Sequence, residues 1–223
     1  MSAHPLLALP DALRQHPDLD AWLRIEPDGA ITVLTGKAEI GQGIKTVVAQ
    51  IAAEELDVDM ARMRVVLADT GQTPDEGYTA GSNSTQGSGG AIRIAAAEAR
   101  AFLLELAAER LGAPVERLHV QDGVIVDPLT ENHTTYWELM GGRPFGRQVT
   151  GRIPPKAPQR YRLVGRPVPR LDLPTKVSGA PAFVDDMALP GMAHGRVVRP
   201  PARRATLLSA DLETVQRLPG VVA

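Results

Sequence analysis

The chain has 223 residues, with 24 Lys and Arg against 26 Asp and Glu and a formal net charge of -2. This length allows one domain or two small ones, and 43% apolar with 22% charged residues is typical of a folded globular chain. The near-neutral balance argues against a nucleic acid as the main partner, because no basic excess is present to neutralise phosphates. The absence of cysteine excludes disulfides, a thiolate nucleophile and an iron–sulfur cluster ligated by this chain.

The residue pattern predicts a compact α/β unit between about residues 22 and 126. Two apolar runs around Asp28-Gly29 predict a β-hairpin closed by a two-residue turn. Helical spacing of apolar residues predicts a helix over 44–56, with Glu54 and Glu55 on a solvated face. The remaining predicted elements are, in chain order, a buried strand at 64–69, a helix over 89–111 ended by Gly112, a hairpin over 118–126 around Asp122-Gly123, a short helix through Met140 capped by Thr134 or Thr135, a strand near 180–184, a strand over 194–200 and a helix near 211–217.

Shifts in composition divide the chain into four parts. They are an N-terminal extension at 1–21, the compact unit at 22–142, a segment with seven prolines that fits a linker at 143–174, and an ordered part at 175–223. Pro5 and Pro10 interrupt the N-terminal apolar run, so neither a membrane span nor a signal peptide is predicted. The expected location is therefore the cytoplasm.

The stretch GKAEIGQGIKT (36–46) follows a predicted strand and opens a predicted helix. Backbone amides and the helix dipole at such a junction attract anions. Gly41 and Gly43 let the backbone approach a ligand closely, and the Gln42 amide both donates and accepts hydrogen bonds. The spacing matches neither a Walker loop nor G-x-G-x-x-G. A glycine loop that only turns a strand into a helix remains the alternative interpretation.

A second polar, glycine-rich run, EGYTAGSNSTQGSGG (76–90), ends at the start of the predicted helix over 89–111. Its hydroxyls and the free amides of the helix start are suited to a phosphate or diphosphate, even without a lysine. The alternative is a flexible surface loop. Two such loops, each between a strand and a helix, favour one shared anionic ligand.

Other residue clusters predict no metal or catalytic centre. The five histidines show no ligand spacing, and adjacent carboxylates at Asp185 and Asp186 point to opposite faces of an extended chain. No Ser-His-Asp set is assembled. Hence no catalytic or metal-ligating residue is assigned to this chain.

Three stretches, in order, resemble the molybdenum-binding large subunits of the xanthine dehydrogenase/aldehyde oxidase family. Two contain the glycine-rich runs, GKAEIGQGIKTVVAQIAAEELDV and DTGQTPDEGYTAGSNSTQGSGGAIRIAAAEAR. The third, YRLVGRPVPRLDLPTKVSGAPAFVDDMALPGMAHGRVVRPPA, is similar to the segment entering that family's a/b hammerhead domain. The resemblance is closest to the isoquinoline 1-oxidoreductase and nicotinate dehydrogenase type, and it runs from about Trp22 to the last residue.

The resemblance implies an α/β (α+β) fold. It makes 22–142 a molybdopterin cofactor-binding lobe of mixed sheet and helices, 143–174 a Pro-rich linker and 175–223 the start of an a/b hammerhead domain. The implied cofactor is molybdenum–molybdopterin cytosine dinucleotide, shared with the rest of the subunit.

The resemblance also assigns roles to the two loops. The loop of Gly41, Gln42 and Gly43 is expected against the pterin and the metal centre. The second loop is expected to hold the diphosphate and the cytidine side of the cofactor, through Gly81, Ser82, Ser84 and Thr85.

The implied activity is that of an oxidoreductase, a molybdenum hydroxylase that oxidises an aldehyde or N-heteroaromatic small molecule with oxygen from water. Its electrons leave through a separate small [2Fe-2S] subunit. Family subunits are several times longer, and no G-x-G-E motif for their general-base glutamate occurs after residue 180 here. The chain is expected to be part of the molybdenum subunit, with the catalytic glutamate elsewhere. The alternative is a non-catalytic truncated module that binds a nucleotide or a partner subunit.

Overall fold

The computed structural model describes residues 6–180 and 183–222. It divides into two compact units, the first ending at Pro174 and the second starting at Thr175. The helices are α1 (Asp11–Gln15), α2 (Ile44–Leu56), α3 (Gly90–Leu111), α4 (Tyr136–Met140), α5 (Leu173–Val177) and α6 (Leu212–Gln216). The strands are β1 (Leu23–Ile25), β2 (Ile31–Thr35), β3 (Met63–Leu67), β4 (His119–Gln121), β5 (Val124–Val126) and β6 (His133–Thr135).

The first sheet has the order β1-β2-β3, with β1 antiparallel and β3 parallel to β2. The predicted hairpin is confirmed, but its turn is longer: the Glu26 amide donates to the Ala30 carbonyl at 2.9 Å, so three residues close it. Gly29 supplies the left-handed residue that such a turn requires, with φ of +87°. β3 was predicted as buried but is largely half-buried, because it is an edge strand.

Helices α2 and α3 pack against each other and form the core with the first sheet. α2 has the predicted bounds, and α3 ends at Gly112 in the left-handed conformation, as predicted. The start of α3 differs, because a π-helical turn at Thr85–Gly89 precedes it. A Cβ atom at Gly89 would lie 2.9 Å from Ile51 Cδ1, so glycine permits the close approach of the two helices.

The second sheet has the order β4-β5-β6 and is entirely antiparallel. Its predicted hairpin is confirmed, and both turn residues, Asp122 and Gly123, have positive φ, as a type I′ turn requires. Thr135 caps α4 in a capping box with Glu138, which confirms the second of the two predicted caps.

The Pro-rich residues 143–172, which we call the strap, lie against α2 and α3. Glu54 Oε2 accepts the amides of residues 162–164 at 2.6 to 3.0 Å, and Glu55 accepts the amide of Lys156 at 2.9 Å. The prediction of a solvated face for both glutamates is therefore wrong, since each is 2% exposed. Burial is tolerated because the strap brings hydrogen-bond donors to these charges.

A cluster of opposite charges joins the strap to the end of α2. The carboxylate of Asp57 binds Lys156 at 2.6 Å, Arg162 at 2.5 Å and Arg100 at 2.6 Å. Burial raises the pKa of Asp57, but the hydrogen bond from Lys156 and the charges of Arg100 and Lys156 outweigh it and hold that pKa below its ordinary value.

The strap also holds the N-terminal segment. Glu98 on α3 accepts the amides of Thr150 at 2.9 Å and Gly151 at 2.6 Å. The Leu7 amide donates in turn to the Gly151 carbonyl, and the Leu19 amide to that of Arg147, both at 2.9 Å. Residues 6–21 are thus attached to the first unit through the strap.

The second unit has little regular structure among its described residues. Helix α6 is present where a helix was predicted, with the Asp211 side chain as its N-cap. The predicted strand over 194–200 is wrong: these residues are exposed and pair with no strand, so their backbone groups lack the partners that a strand needs. The predicted strand near 180–184 lies partly outside the described residues. Across residues 6–180 and 183–222, no helix combines the length and apolar character needed to cross a bilayer.

We expect Glu54→Gln to destabilise the first unit by about 3 kcal/mol, because the strap amides lose a buried charged acceptor. Urea unfolding measures the loss, and limited proteolysis shows whether the strap is released first. Glu109→Gln, an exposed position on α3, is the matched control. Equal stability of the two variants would contradict the anchoring role of Glu54.

The lowered pKa of Asp57 predicts an acid dependence of stability. Its contribution is present above the ordinary value of 3.8 and is lost as the pH falls through the lowered pKa. Asp57→Asn should therefore be less stable than the wild type at pH 7, and the difference should shrink below pH 3.8. Urea unfolding of both proteins across this range is the measurement, and a difference independent of pH would refute the assignment.

Candidate cofactor-binding site

The two glycine-rich loops leave neighbouring parallel strands. The first loop, residues 36–43, joins β2 to α2, and the second loop, residues 68–84, leads from β3 toward α3. Because β2 and β3 are paired and parallel, both loops start at the same edge of the sheet. This edge is where ligands commonly bind in α/β folds.

Glu76 ties the second loop to the end of β2. Its Oε2 accepts the Thr35 hydroxyl at 2.6 Å, the Gly36 amide at 2.8 Å and the Ser88 hydroxyl at 3.2 Å. Its Oε1 is buried and has no hydrogen-bond partner within the described part of the chain. One carboxylate thus connects β2, the second loop and the π-helical turn.

Lys37 makes a second link between the loops. Its buried ammonium donates to the carbonyls of Glu76 at 2.5 Å and Tyr78 at 3.1 Å. Beside it, the Ala38 amide donates to the Thr79 hydroxyl at 2.8 Å. The relative position of the two loops is therefore fixed by this chain's own side chains.

Glu39 occupies the start of α2. Its carboxylate accepts the amides of Gly41 and Gly43, each at 2.9 Å, and of Lys45 at 3.1 Å. Burial raises the pKa of Glu39, but these amides outweigh it and hold the pKa below its ordinary value. The sequence predicted free amides for an external anion here, which is wrong, because the loop's own carboxylate takes that place.

Gln42 braces the first loop from inside. Its Oε1 accepts the Ile40 amide at 2.7 Å, and its Nε2 donates to the Ala38 carbonyl at 2.8 Å. The side chain remains exposed, with one amide hydrogen beyond this bond. These two hydrogen bonds fix the orientation of the Gln42 amide.

The second loop keeps unused donors. Gly81 and Ser82 are exposed in the left-handed conformation, with φ of +65° and +57°, and in the described chain their amides meet no acceptor. Ser84 is buried at the head of the π-helical turn and Thr85 is exposed. Neither this helix nor α2 has an acidic residue in its first turn, but Glu39 in the first loop accepts backbone amides at the start of α2. The second loop therefore fits an anionic group, and the first loop does not.

The comparisons with known proteins identify the family of this chain. The family model described as "Molybdopterin cofactor-binding domain" matches residues 5–168, which include both loops. The chain belongs to this family. It is a molybdopterin-binding protein of the xanthine dehydrogenase/aldehyde oxidase family, with the expected α/β fold class.

Two curated relatives cover most of the chain. One of the subunits of nicotinate dehydrogenase from Pseudomonas putida is 40% identical, over 92% of this chain and 18% of that protein. The beta subunit of isoquinoline 1-oxidoreductase from Brevundimonas diminuta is 28% identical, over 91% of this chain and 31% of that protein. A CO dehydrogenase structure from Oligotropha carboxidovorans matches with a TM-score of 0.48 and 28% identity, over 57% of this chain and 16% of that one. The chain thus spans less than a third of the length of either curated relative.

The structure starts both loops at one edge of the sheet and joins them through residues 35–38 and 76–79. The residues predicted from sequence, at 41–43 and 81–85, follow these contacts along each loop. Sequence reasoning missed the residues that hold this edge in place. These residues lie inside the two glycine-rich stretches: they are Lys37, Glu39 and Glu76. The one signal in the sequence that could have identified them is their charge. Their partners lie up to 131 positions away in the chain, beyond the reach of a local pattern.

Lys37→Met should loosen the second loop, because three backbone carbonyls lose a buried charged donor. We expect hydrogen exchange in residues 76–79 to rise at least tenfold, the change that corresponds to about 1.4 kcal/mol. Lys45→Met, on the first turn of α2, is the matched control and should leave this segment unchanged. Equal exchange in wild type and Lys37→Met would show that Lys37 does not hold the loop.

Proposed function

We propose that this chain supplies the cofactor-holding lobe of a molybdenum hydroxylase that oxidises an aldehyde or N-heteroaromatic small molecule with oxygen from water. The cofactor we propose is molybdenum–molybdopterin cytosine dinucleotide. When bound, such a cofactor supplies the two-electron oxidation of the substrate carbon. The residues of this chain bind and orient it.

The observation that carries the proposal is the shared edge of the two loops. Glu76 and Lys37 hold the loops side by side at the carboxyl ends of β2 and β3. A ligand with a compact head and a long anionic tail suits such a pair of adjacent loops. Molybdopterin dinucleotides have this form, with the metal and pterin at one end and the nucleotide at the other.

Different parts of the edge suit different parts of the cofactor. The first loop has its backbone amides occupied by Glu39, so we assign Gly41, Gln42 and Gly43 to the uncharged pterin side and the metal's surroundings. The free amides of the second loop suit the diphosphate. We assign Gly81, Ser82, Ser84 and Thr85 to that part and to the cytidine side.

Placing the cofactor at this edge also implies partners for the chain. Ile40 and Tyr78 at this edge are 72% and 95% exposed, large apolar surfaces next to the proposed cofactor. We propose that the remainder of the molybdenum subunit covers them and supplies the general-base glutamate and the substrate pocket. Electrons are proposed to pass to a small [2Fe-2S] subunit. Residues 175–223 are proposed as the beginning of a hammerhead domain.

The test uses the assembly that contains this chain, isolated from cells that make the cofactor. Ser82→Ala combined with Ser84→Ala should lower retained molybdenum and released CMP at least tenfold, since hydrogen bonds to a charged group contribute about 1.5–3 kcal/mol each. Ser209→Ala, at an exposed position in the second unit, is the control.

Unchanged molybdenum and CMP contents in the double variant would contradict the assignment of the second loop. Molybdenum without CMP in the wild type would refute the cytosine dinucleotide form alone. CMP binding without molybdenum would favour the nucleotide-binding module.

A further inference from the structure

The end of the strap lies on the first loop. Arg170 Nη1 donates to the Gly41 carbonyl at 3.1 Å, and its Nη2 lies 3.5 Å from Glu39 Oε1. Its Nε and Nη2 also bind the carboxylate of Asp172 at 3.0 and 2.7 Å. One guanidinium thus contacts the loop backbone, the carboxylate inside the loop and a carboxylate of the strap.

Neighbouring contacts extend this attachment to the first turn of α2. The Leu171 amide donates to the Thr46 hydroxyl at 2.9 Å. A Cβ atom at Gly43 would lie 3.8 Å from Arg170 Cζ, so the guanidinium also lies along the end of the loop. The loop is therefore held from Glu39 through Thr46 by two consecutive strap residues.

We infer that Arg170 is a positioning residue for the first loop, and that it fixes the conformation in which Gly41 to Gly43 are presented to the cofactor. The inference rests on the proposed function where it concerns the cofactor. Its first part, the control of loop conformation by the strap, stands on the contacts alone.

Charge explains why this position needs a cation. The side chains of Glu39 and Asp172 are only 9% and 7% exposed, and both face the guanidinium. Among the described residues, Arg170 is the one basic side chain within ion-pair distance of Glu39. Removal of the Arg170 side chain would leave the nearly buried carboxylate of Glu39 with amide donors but without a counter-charge. An unpaired buried charge destabilises the conformation that holds it.

Geometry explains why the cation is arginine. The fork of a guanidinium presents several donors in one plane, so it binds Asp172 at two nitrogens while it reaches a carbonyl and a second carboxylate. A lysine ammonium at the same place keeps the charge but not the simultaneous contacts. The conservative variant therefore separates positioning from charge.

The loop contacts also connect Arg170 to Gln42. The two hydrogen bonds of the Gln42 side chain go to Ala38 and Ile40, the residues on either side of Glu39. Movement of Glu39 therefore shifts both partners of Gln42. Arg170 does not itself need to touch the cofactor for this effect.

The experiment compares Arg170→Gln, Arg170→Lys and the control Arg166→Gln, an exposed arginine of the same strap. Hydrogen exchange of the peptide 36–46 is measured in the assembly, together with molybdenum content, CMP content and the Mo(V) electron paramagnetic resonance spectrum. We expect exchange at Gly41, Gly43 and Lys45 to rise at least tenfold in both Arg170 variants. Exchange in α3 should stay at the wild-type value, and the Mo(V) spectrum should change.

Each other outcome overturns part of the inference. Unchanged exchange in Arg170→Gln refutes control of the loop, and a uniform rise across the first unit shows a general structural role instead. Faster loop exchange with an unchanged Mo(V) spectrum and cofactor content refutes the effect on the cofactor. Wild-type hydrogen exchange of the loop in Arg170→Lys shows that a positive charge alone is enough to hold the loop, without the guanidinium geometry. A wild-type assembly without molybdenum refutes the proposed function, but the hydrogen-exchange result still tests whether Arg170 controls the loop.

Discussion

The fold depends on buried carboxylates that accept backbone amides of the strap. Glu54, Glu55 and Glu98 each bind amides of this segment, and its carbonyls receive donors such as Gln50 from α2. Proline removes an amide donor, so a Pro-rich segment forms neither helix nor sheet readily and depends on side chains for its remaining backbone groups. The helices satisfy these groups, and the strap covers the polar faces of the helices.

This interaction reaches from the interior of the first unit to the candidate site. Thr46, Gln50 and Glu54 are spaced four residues apart, so they form one polar stripe along α2, and each binds the strap. The stripe begins beside the first loop and ends beside the Asp57 charge cluster. The conformation of the loop and the attachment of the strap are therefore parts of one structure.

The sequence alone predicted the local features well. The helical spacing at 44–56, the Asp122-Gly123 turn and the Thr135 cap are properties of a few neighbouring residues, and the structure has all three. It failed where a residue's environment comes from a distant segment. Glu54 binds amides more than 100 positions away, and Arg170 lies 129 positions from Gly41, so no local periodicity marks either contact. The resemblance identified the loops, but their supporting residues emerged only from the structure.

The manner in which the strap is attached has a consequence for its behaviour in salt. Exposed ion pairs weaken as ionic strength rises, because mobile ions screen charges over about 10 Å at 0.1 M. The carboxylates of Glu54 and Glu98 instead accept backbone amides directly, with N···O distances of 2.6 to 3.0 Å, and both side chains are buried. Mobile ions do not enter such contacts, so the attachment persists at high ionic strength. The exposed pair of Arg147 with Glu105, by contrast, is open to screening.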